Sequence, residues 1–389
     1  MVGSKSPVRA FVGADVLQGR HLRPATVVVE GTKIIEVCGA HAALGSATRV
    51  DVRGRVIAPG FIDTHVHGAR GYNVMMALDD AVDAIAMALS RDGVTSFVGA
   101  TASVSIAQIE SALAGLAGIA GRARPGRARL LGTHLEGPFI SPEHAGVHRR
   151  EFLREPEPRF LDRVLEAAQD TMRICTIAPE LAGAQAAITR FVEEGIVASI
   201  GHTGAGYSTT AAAIDLGARR ATHLWNAMPP LHHRRPGAVG AVLADARVRP
   251  EIVADGFHVA PELLSLHFAS ESLAERMILV SDGVDVTGLP DGAYQRWEGT
   301  PVVLDEGISR TPEGTIAGST STMLDGVRTL VTAGVALGDA LHAASTAPAD
   351  SLHAAGIGRI APGADADLVV LDTELRLHDV LLQGSSINA

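Results

Sequence analysis

From Val56 onward the chain alternates short, β-branched apolar runs with Ala/Leu-rich stretches of helical period, and this alternation restricts the fold more than any single motif does. Eight strands are expected: Val56–Thr64, Val94–Ala100, Arg129–Leu135, Arg173–Ala178, Val197–Gly201, Arg219–Thr222, Glu251–Ala254 and Met277–Val280. Helices are expected at Asp79–Arg91, Ile106–Ala120, Phe160–Gln169, Gln185–Glu194, Thr209–Leu216 and Pro261–Ala269, between consecutive strands as right-handed crossovers require. Eight such units close into a (β/α)8 (TIM) barrel of about 250 residues. The 389-residue chain leaves room for a smaller module. Residues 8 to 57, with β-branched runs split by Gly turns, form an all-β piece, and the tail Ile357–Leu382 returns to short strands that would rejoin it. Residues 283 to 315 read as less regular, and Ser321–Val335 and Leu337–Ala347 as helices.

In a parallel barrel the carboxyl ends of all strands meet at one mouth, so polar residues at those ends converge although distant in sequence. His65 and His67 end the first strand, and as residues i and i+2 they share a face. Glu136 follows the third strand, His202 the fifth, His223 the sixth and Asp282 the eighth. Glu136, His202 and His223 form a set able to hold a divalent cation with a coordination position open to water, and His65 and His67 could hold a second ion bridged by Glu136. An isolated His-x-His is more often a half-exposed strand; the company it keeps here favours the metal reading. Asp282 admits three roles: acid/base beside a metal-bound water, metal ligand, or helix N-cap. Imidazole with carboxylate suits zinc or ferrous iron and not calcium.

The balance of 33 basic against 43 acidic residues, a net charge of −10, argues against nucleic acid as a partner, although the His232–Gly237 cluster with Arg234 could hold one phosphate. Two distant cysteines, Cys38 and Cys175, make no disulfide framework, and Met1–Pro7 lacks the apolar core of a signal peptide. No run of eighteen apolar residues occurs, and a cytoplasmic protein without membrane contact is expected.

The segments Pro59–Gly68, His134–Phe139, Gly201–Thr203, Thr222–Met228, Ala254–Val259, Val280–Asp282 and Gly318–Thr320 occur in an order that resembles the N-acetylglucosamine-6-phosphate deacetylase family of the amidohydrolase superfamily. The resemblance spans about residues 10 to 384; His-Leu-Glu-Gly-Pro and Thr-His-Leu-x-Asn-Ala-Met are particular to the family, His-x-His only to the superfamily. It implies a barrel over 58–356 with a small β-sandwich from residues 1–57 and 357–389, assembled as a homodimer. It also implies hydrolysis of the 2-acetamido group of a 6-phosphorylated amino sugar. The family's metal ligands fall on Glu136, His202 and His223 and its acid/base on Asp282, while the retained His65 and His67 imply room for a second ion, zinc or ferrous iron. Substrate contacts would map to Val147, His148, Asn226, Ala227, Arg234, His258 and the backbone of Ile316, Ala317 and Gly318, with Arg234 reaching a neighbouring subunit's site. Gly68–Met76 and Asp282–Thr287 depart from the family pattern. Deacetylation of the galacto epimer, another N-acyl amidohydrolase activity and a non-catalytic sugar-phosphate binder on the same barrel are the alternatives.

Overall fold

The computed structural model describes residues 7–122 and 124–388; the expectation of no signal segment at the amino terminus falls largely outside them. Eight parallel strands run consecutively round the barrel: β1 (Phe61–Val66), β2 (Val94–Ala100), β3 (Arg129–Glu136), β4 (Met172–Ile177), β5 (Val197–Ile200), β6 (Arg220–Ala221), β7 (Arg249–Val253) and β8 (Ile278–Val280). A parallel bridge between Val66 and Gly283 draws the last strand to the first. Both faces of the strands are covered, which is why they read as unbroken apolar runs. The expected strand order is therefore present, with the sixth strand reduced to two paired residues.

Amphipathic helices cover the barrel: α1 (Asp79–Arg91), α2 (Ile106–Ala117), α3 (Pro158–Ala168), α4 (Ala184–Glu193), α5 (Tyr207–Asp215), α6 (Gly237–Ala244), α7 (Pro261–Phe268), α8 (Glu271–Arg276), α9 (Met323–Thr332), α10 (Leu337–Ala344) and α11 (Thr346–Ser351). In α1, Val82, Ile85, Ala86 and Leu89 turn one stripe inward, while Asp79 and Asp80 sit in the first turn, where the helix dipole favours them. Helix α6 was not expected from the sequence: two glycines in eight residues weaken its propensity, and burial of Ala238, Val239, Ala241 and Val242 offsets that.

Two further departures from the expected elements matter for the site. The run expected as one strand over Val56–Thr64 divides at Gly60, whose N–H bonds Asp367 O (2.9 Å) while the next N–H, of Phe61, bonds Gly93 O (2.9 Å); a Cβ at Gly60 would lie 2.2 Å from the Thr95 side chain. Val56–Pro59 pairs antiparallel with Leu368–Leu371, and only the residues from Phe61 join the barrel. The terminal strands form one eight-stranded sheet that closes over its own core. Leu368 and Val370 face that core, and the alternate residues Val369 and Leu371 face the barrel core. The stretch expected to be less regular carries a four-stranded antiparallel sheet, Gly292–Gln295, Pro301–Asp305, Ile308–Arg310 and Ile316–Ser319. Its central hairpin turns at Glu306-Gly307, both at positive φ, as a two-residue type I′ turn requires. No helix among the described residues is long and apolar enough to cross a membrane.

Candidate active site

Each polar residue expected at a strand end lies at the mouth of the barrel. His65 is still within β1 and Glu136 ends β3, whereas His202, His223 and Asp282 each stand two residues past the end of β5, β6 and β8. These three have positive φ (46°, 27° and 51°), a conformation uncommon outside glycine that is found at functional sites held by surrounding structure. At Asp282 cross-strand bonds hold it: Asp282 N–H donates to His65 O (3.0 Å), His67 N–H to Gly283 O (2.7 Å) and Ser319 N–H to Asp282 O (2.9 Å), while Ser141 N–H donates to His202 O (2.9 Å) and His223 N–H to Glu251 Oε2 (3.1 Å).

Glu136 is the hub. Its Oε1 lies 3.2 Å from His65 Nε2, 3.4 Å from His202 Nε2 and 3.1 Å from His223 Nε2, and its Oε2 lies 3.1 Å from His67 Nε2 and 3.3 Å from His148 Nε2. Asp282 Oδ1 stands 3.6 Å from His65 Nε2 and 3.5 Å from His67 Nε2. Every one of these side chains is at least nine-tenths buried except that of Asp282, 11% of which is exposed.

The second contacts decide which nitrogens carry protons. His202 Nδ1 donates to His144 O (2.8 Å) and His65 Nδ1 to Glu251 Oε2 (3.0 Å), so the Nε2 of each turns a lone pair to the centre. His148 is opposite: its Nδ1 accepts from the Ser103 N–H (3.2 Å), so its Nε2 presents a proton. His202 and His223 place their Nε2 atoms 3.0 Å apart, and His65 Nε2 is buried without a hydrogen-bond partner among the described residues. Lone pairs facing one another round a buried carboxylate repel, and a cation between them removes the repulsion. The donor set fits a divalent metal ion.

Charge agrees with that fit. Burial alone would raise the Glu136 carboxyl; the imidazoles around it, His65 first and then His148, His202 and His223, instead hold it well below the carboxylate range. For Asp282 too, burial is outweighed, by the His67 hydrogen bond and the charges of His65 and His67, and the group is ionised. Burial pushes His202 down to about 4, keeping it neutral and available as a ligand. Burial also opposes protonation of His65, yet Glu136 and Glu251 raise it: between these two carboxylates Nε2 holds either a proton or, with its lone pair free, a cation.

A cavity of about 290 Å³ opens from the cluster, lined by His67, Glu136, Val147, His148, His202, His223, Asn226, Ala227, His258, Asp282, Ile316 and Gly318. Three predicted residues fall elsewhere. His65 lies behind this wall, Ala317 is buried with Val284, Val286 and Val302, and Arg234 is exposed on the loop after β6, outside the cavity of its own chain. His258 Nδ1 is 2.6 Å from Asp255 Oδ2, and its Nε2 is 4.0 Å from Asp282 Oδ2.

Several participants were not singled out from the sequence. Glu251, inside β7, accepts from His65 Nδ1, from the His223 N–H (3.1 Å) and, through Oε1, from Arg220 Nε (2.7 Å). Asp63 accepts from the backbone of His65 (3.2 Å) and Ser281 (3.3 Å) and from the Ser281 hydroxyl, tying the strand of the histidines to that of Asp282. A charged residue within an apolar barrel strand, as at Glu251 and Asp63, is the signal that could have found both. Arg149, Arg296 and Glu298, also in the cavity wall, carry no such local signal.

A parallel barrel with a His/Glu/Asp centre at its carboxyl mouth defines a class of TIM-barrel proteins with a built divalent-metal site. Residues 56–387 match the amidohydrolase family, and the chain belongs to that family. It is 39% identical over 331 residues to the N-acetylgalactosamine-6-phosphate deacetylase of Escherichia coli O157:H7, covering 85% of this chain and 87% of that protein. It is 32% identical over 389 residues to the N-acetylglucosamine-6-phosphate deacetylase of Vibrio furnissii, covering 98% and 95%. A mutant of N-acetyl-D-glucosamine-6-phosphate deacetylase from Mycobacterium smegmatis, solved in complex with N-acetyl-D-glucosamine-6-phosphate, superposes with a TM-score of 0.90 at 37% identity, covering 98% of this chain and 100% of that one.

Proposed function

We propose that the protein hydrolyses the acetamide of N-acetylglucosamine 6-phosphate to glucosamine 6-phosphate and acetate. The observation that carries the reading is the Asp282 carboxylate, 3.5–3.6 Å from the Nε2 atoms of His65 and His67, set against the Glu136 cluster in the wall of a sugar-sized cavity. The relatives' common substrate type, a 6-phosphorylated N-acetylhexosamine, supports the choice of amide.

Glu136, His202 and His223 would hold a zinc or ferrous ion, and His65 and His67 with Glu136 a second. Such an ion supplies a Lewis acid for the amide carbonyl and acidifies water. Asp282 takes a proton from the attacking water and returns it to the amide nitrogen as the C–N bond breaks, so that acetate and the free amine leave. His148, its Nδ1 occupied by Ser103, offers its Nε2 proton to the carbonyl oxygen as charge builds there. His258, held by Asp255, is placed to bond a sugar hydroxyl. Asn226, Ala227, Val147 and the backbone at Ile316 and Gly318 contact the sugar phosphate from the walls, and Arg234, outside its own cavity, serves the phosphate of a partner copy in a homodimer. We take residues 58–356 as the catalytic unit and the cytoplasm as its compartment.

The galacto epimer is the second reading, favoured by the 39% identity to a galactosamine-type relative. The test is acetate release from the gluco and galacto 6-phosphates and from unphosphorylated N-acetylglucosamine, after loading with zinc or ferrous iron. Chelator-sensitive turnover fastest on the gluco 6-phosphate supports the proposal; preference for the galacto 6-phosphate moves it to the second reading, and no turnover of any overturns it.

A further inference from the structure

One carboxylate in the cavity wall has no work in the chemistry above. Arg296 follows the Gly292–Gln295 strand of the antiparallel sheet, and its Nε donates to Asp285 Oδ1 (3.2 Å), while Asp285 Oδ2 accepts from the Trp297 N–H (2.9 Å). Asp285 alone balances the guanidinium. Glu298 then adds a second negative charge, with Oε1 3.7 Å from Arg296 Nε, and its Oε2 is closed off with no hydrogen-bond partner among the described residues. Only 6% of the Arg296 side chain and 15% of the Glu298 side chain are exposed, and both line the cavity that holds Asp282. The other oxygen, Oε1, is the one left open to the cavity, and with Asp285 already paired to Arg296 it offers an acceptor position to a donor that arrives with the ligand.

The chemistry of that donor follows from the pair. A hydroxyl gives one proton and accepts through two lone pairs, and a carboxylate beside a guanidinium matches both capacities at once. A phosphate is excluded from this spot, since Glu298 would repel it. Asp285 follows β8 beside β1, two strands round the barrel from Asn226 and Ala227, which follow β6. We infer that Arg296 and Glu298 form a hydroxyl-reading subsite for the sugar ring, separate from the phosphate contacts, and that this pair decides which hexosamine configuration is accepted. The inference rests on the proposed deacetylase activity.

The test measures kcat and KM of wild-type protein and the near-isosteric Glu298→Gln on N-acetylglucosamine 6-phosphate and on its 3-deoxy and 4-deoxy analogues, with ion content and melting temperature as controls for folding. Glu298→Gln is expected to raise KM for the parent sugar about ten- to a hundredfold. On the analogue lacking the hydroxyl that Glu298 reads, wild type and variant should converge, while the other analogue keeps the difference. Equal KM values for wild type and Glu298→Gln on the parent, or the same loss on all three substrates, would overturn the subsite. Wild-type protein without turnover on any of them overturns the deacetylase reading, and the subsite with it.

Discussion

Replacing Glu251 by Gln tests the network beneath the metal centre more sharply than any change to a ligand. The carboxylate is fully buried and serves three donors on two sides: Oε1 accepts from Arg220 Nε, and Oε2 accepts from His65 Nδ1 and the His223 N–H. A glutamine must turn its NH2 group to one of these sides, so it sets a donor against a donor in either orientation. It also leaves Arg220, 0% exposed, with only neutral side-chain partners among the described residues: the Ser351 and Thr64 hydroxyls and, in one orientation, the amide oxygen itself. Breaking a buried ion pair by removing one partner costs about 3–5 kcal/mol, mostly from the charge left behind. Burial opposes ionisation of Glu251, but Arg220 and His65 overcome it and hold the carboxyl far below its ordinary value of 4.5. A depressed carboxylate stabilises the folded chain above the unfolded value and loses that contribution as pH falls below it. The deficit of Glu251→Gln relative to wild type is therefore expected in full at pH 6 to 8, shrinking below pH 4.5. Urea unfolding of chelated protein across that range measures it. Ion affinity should fall by about 10–100-fold in the same variant, because His65 loses the partner that fixes its tautomer. A variant within about 1 kcal/mol of wild type at pH 7 refutes the assignment of Arg220 as a charge that depends on Glu251.

Three other changes separate the roles within the site and outside it. Asp282→Asn should retain bound ion, read by metal analysis, and lose turnover by about 10²–10⁴-fold; unimpaired turnover would remove Asp282 from proton transfer. His223→Ala should lower ion content itself, and full content on metal analysis would remove His223 from the ligand set. Asp92, at the carboxyl cap of α1, is pushed up to about 6, first by burial, because the folded state disfavours its charge. A raised carboxyl costs stability as pH rises from the ordinary 3.8 through about 6, and the negative charge opposes the helix dipole. Asp92→Asn should match wild type below pH 4 and exceed it above pH 6 by up to about 3 kcal/mol in urea unfolding; equal stability at pH 8 would refute this reading of Asp92.

The sequence by itself determined the barrel and its order, since a buried parallel strand and an amphipathic helix each write their own period into consecutive residues, and short crossovers leave few ways to connect them. It also located the ligand-type residues, because a barrel gathers strand ends at one mouth regardless of their separation in the chain. Tertiary structure decided what depends on partners far away. Gly60 looks like part of a continuous run until its N–H bonds Asp367 O and that of Phe61 bonds Gly93 O, and the sheet of residues 292–319 takes its place beside the mouth through Asp285 and Arg296. Glu251 and Arg220 lie on adjacent strands, 31 residues apart, and become an ion pair only when those strands are in register. The same holds for the protons: His202 and His148 are alike in sequence, and only the His144 carbonyl facing one and the Ser103 amide facing the other make the first a lone-pair donor to a cation and the second a proton donor to the substrate.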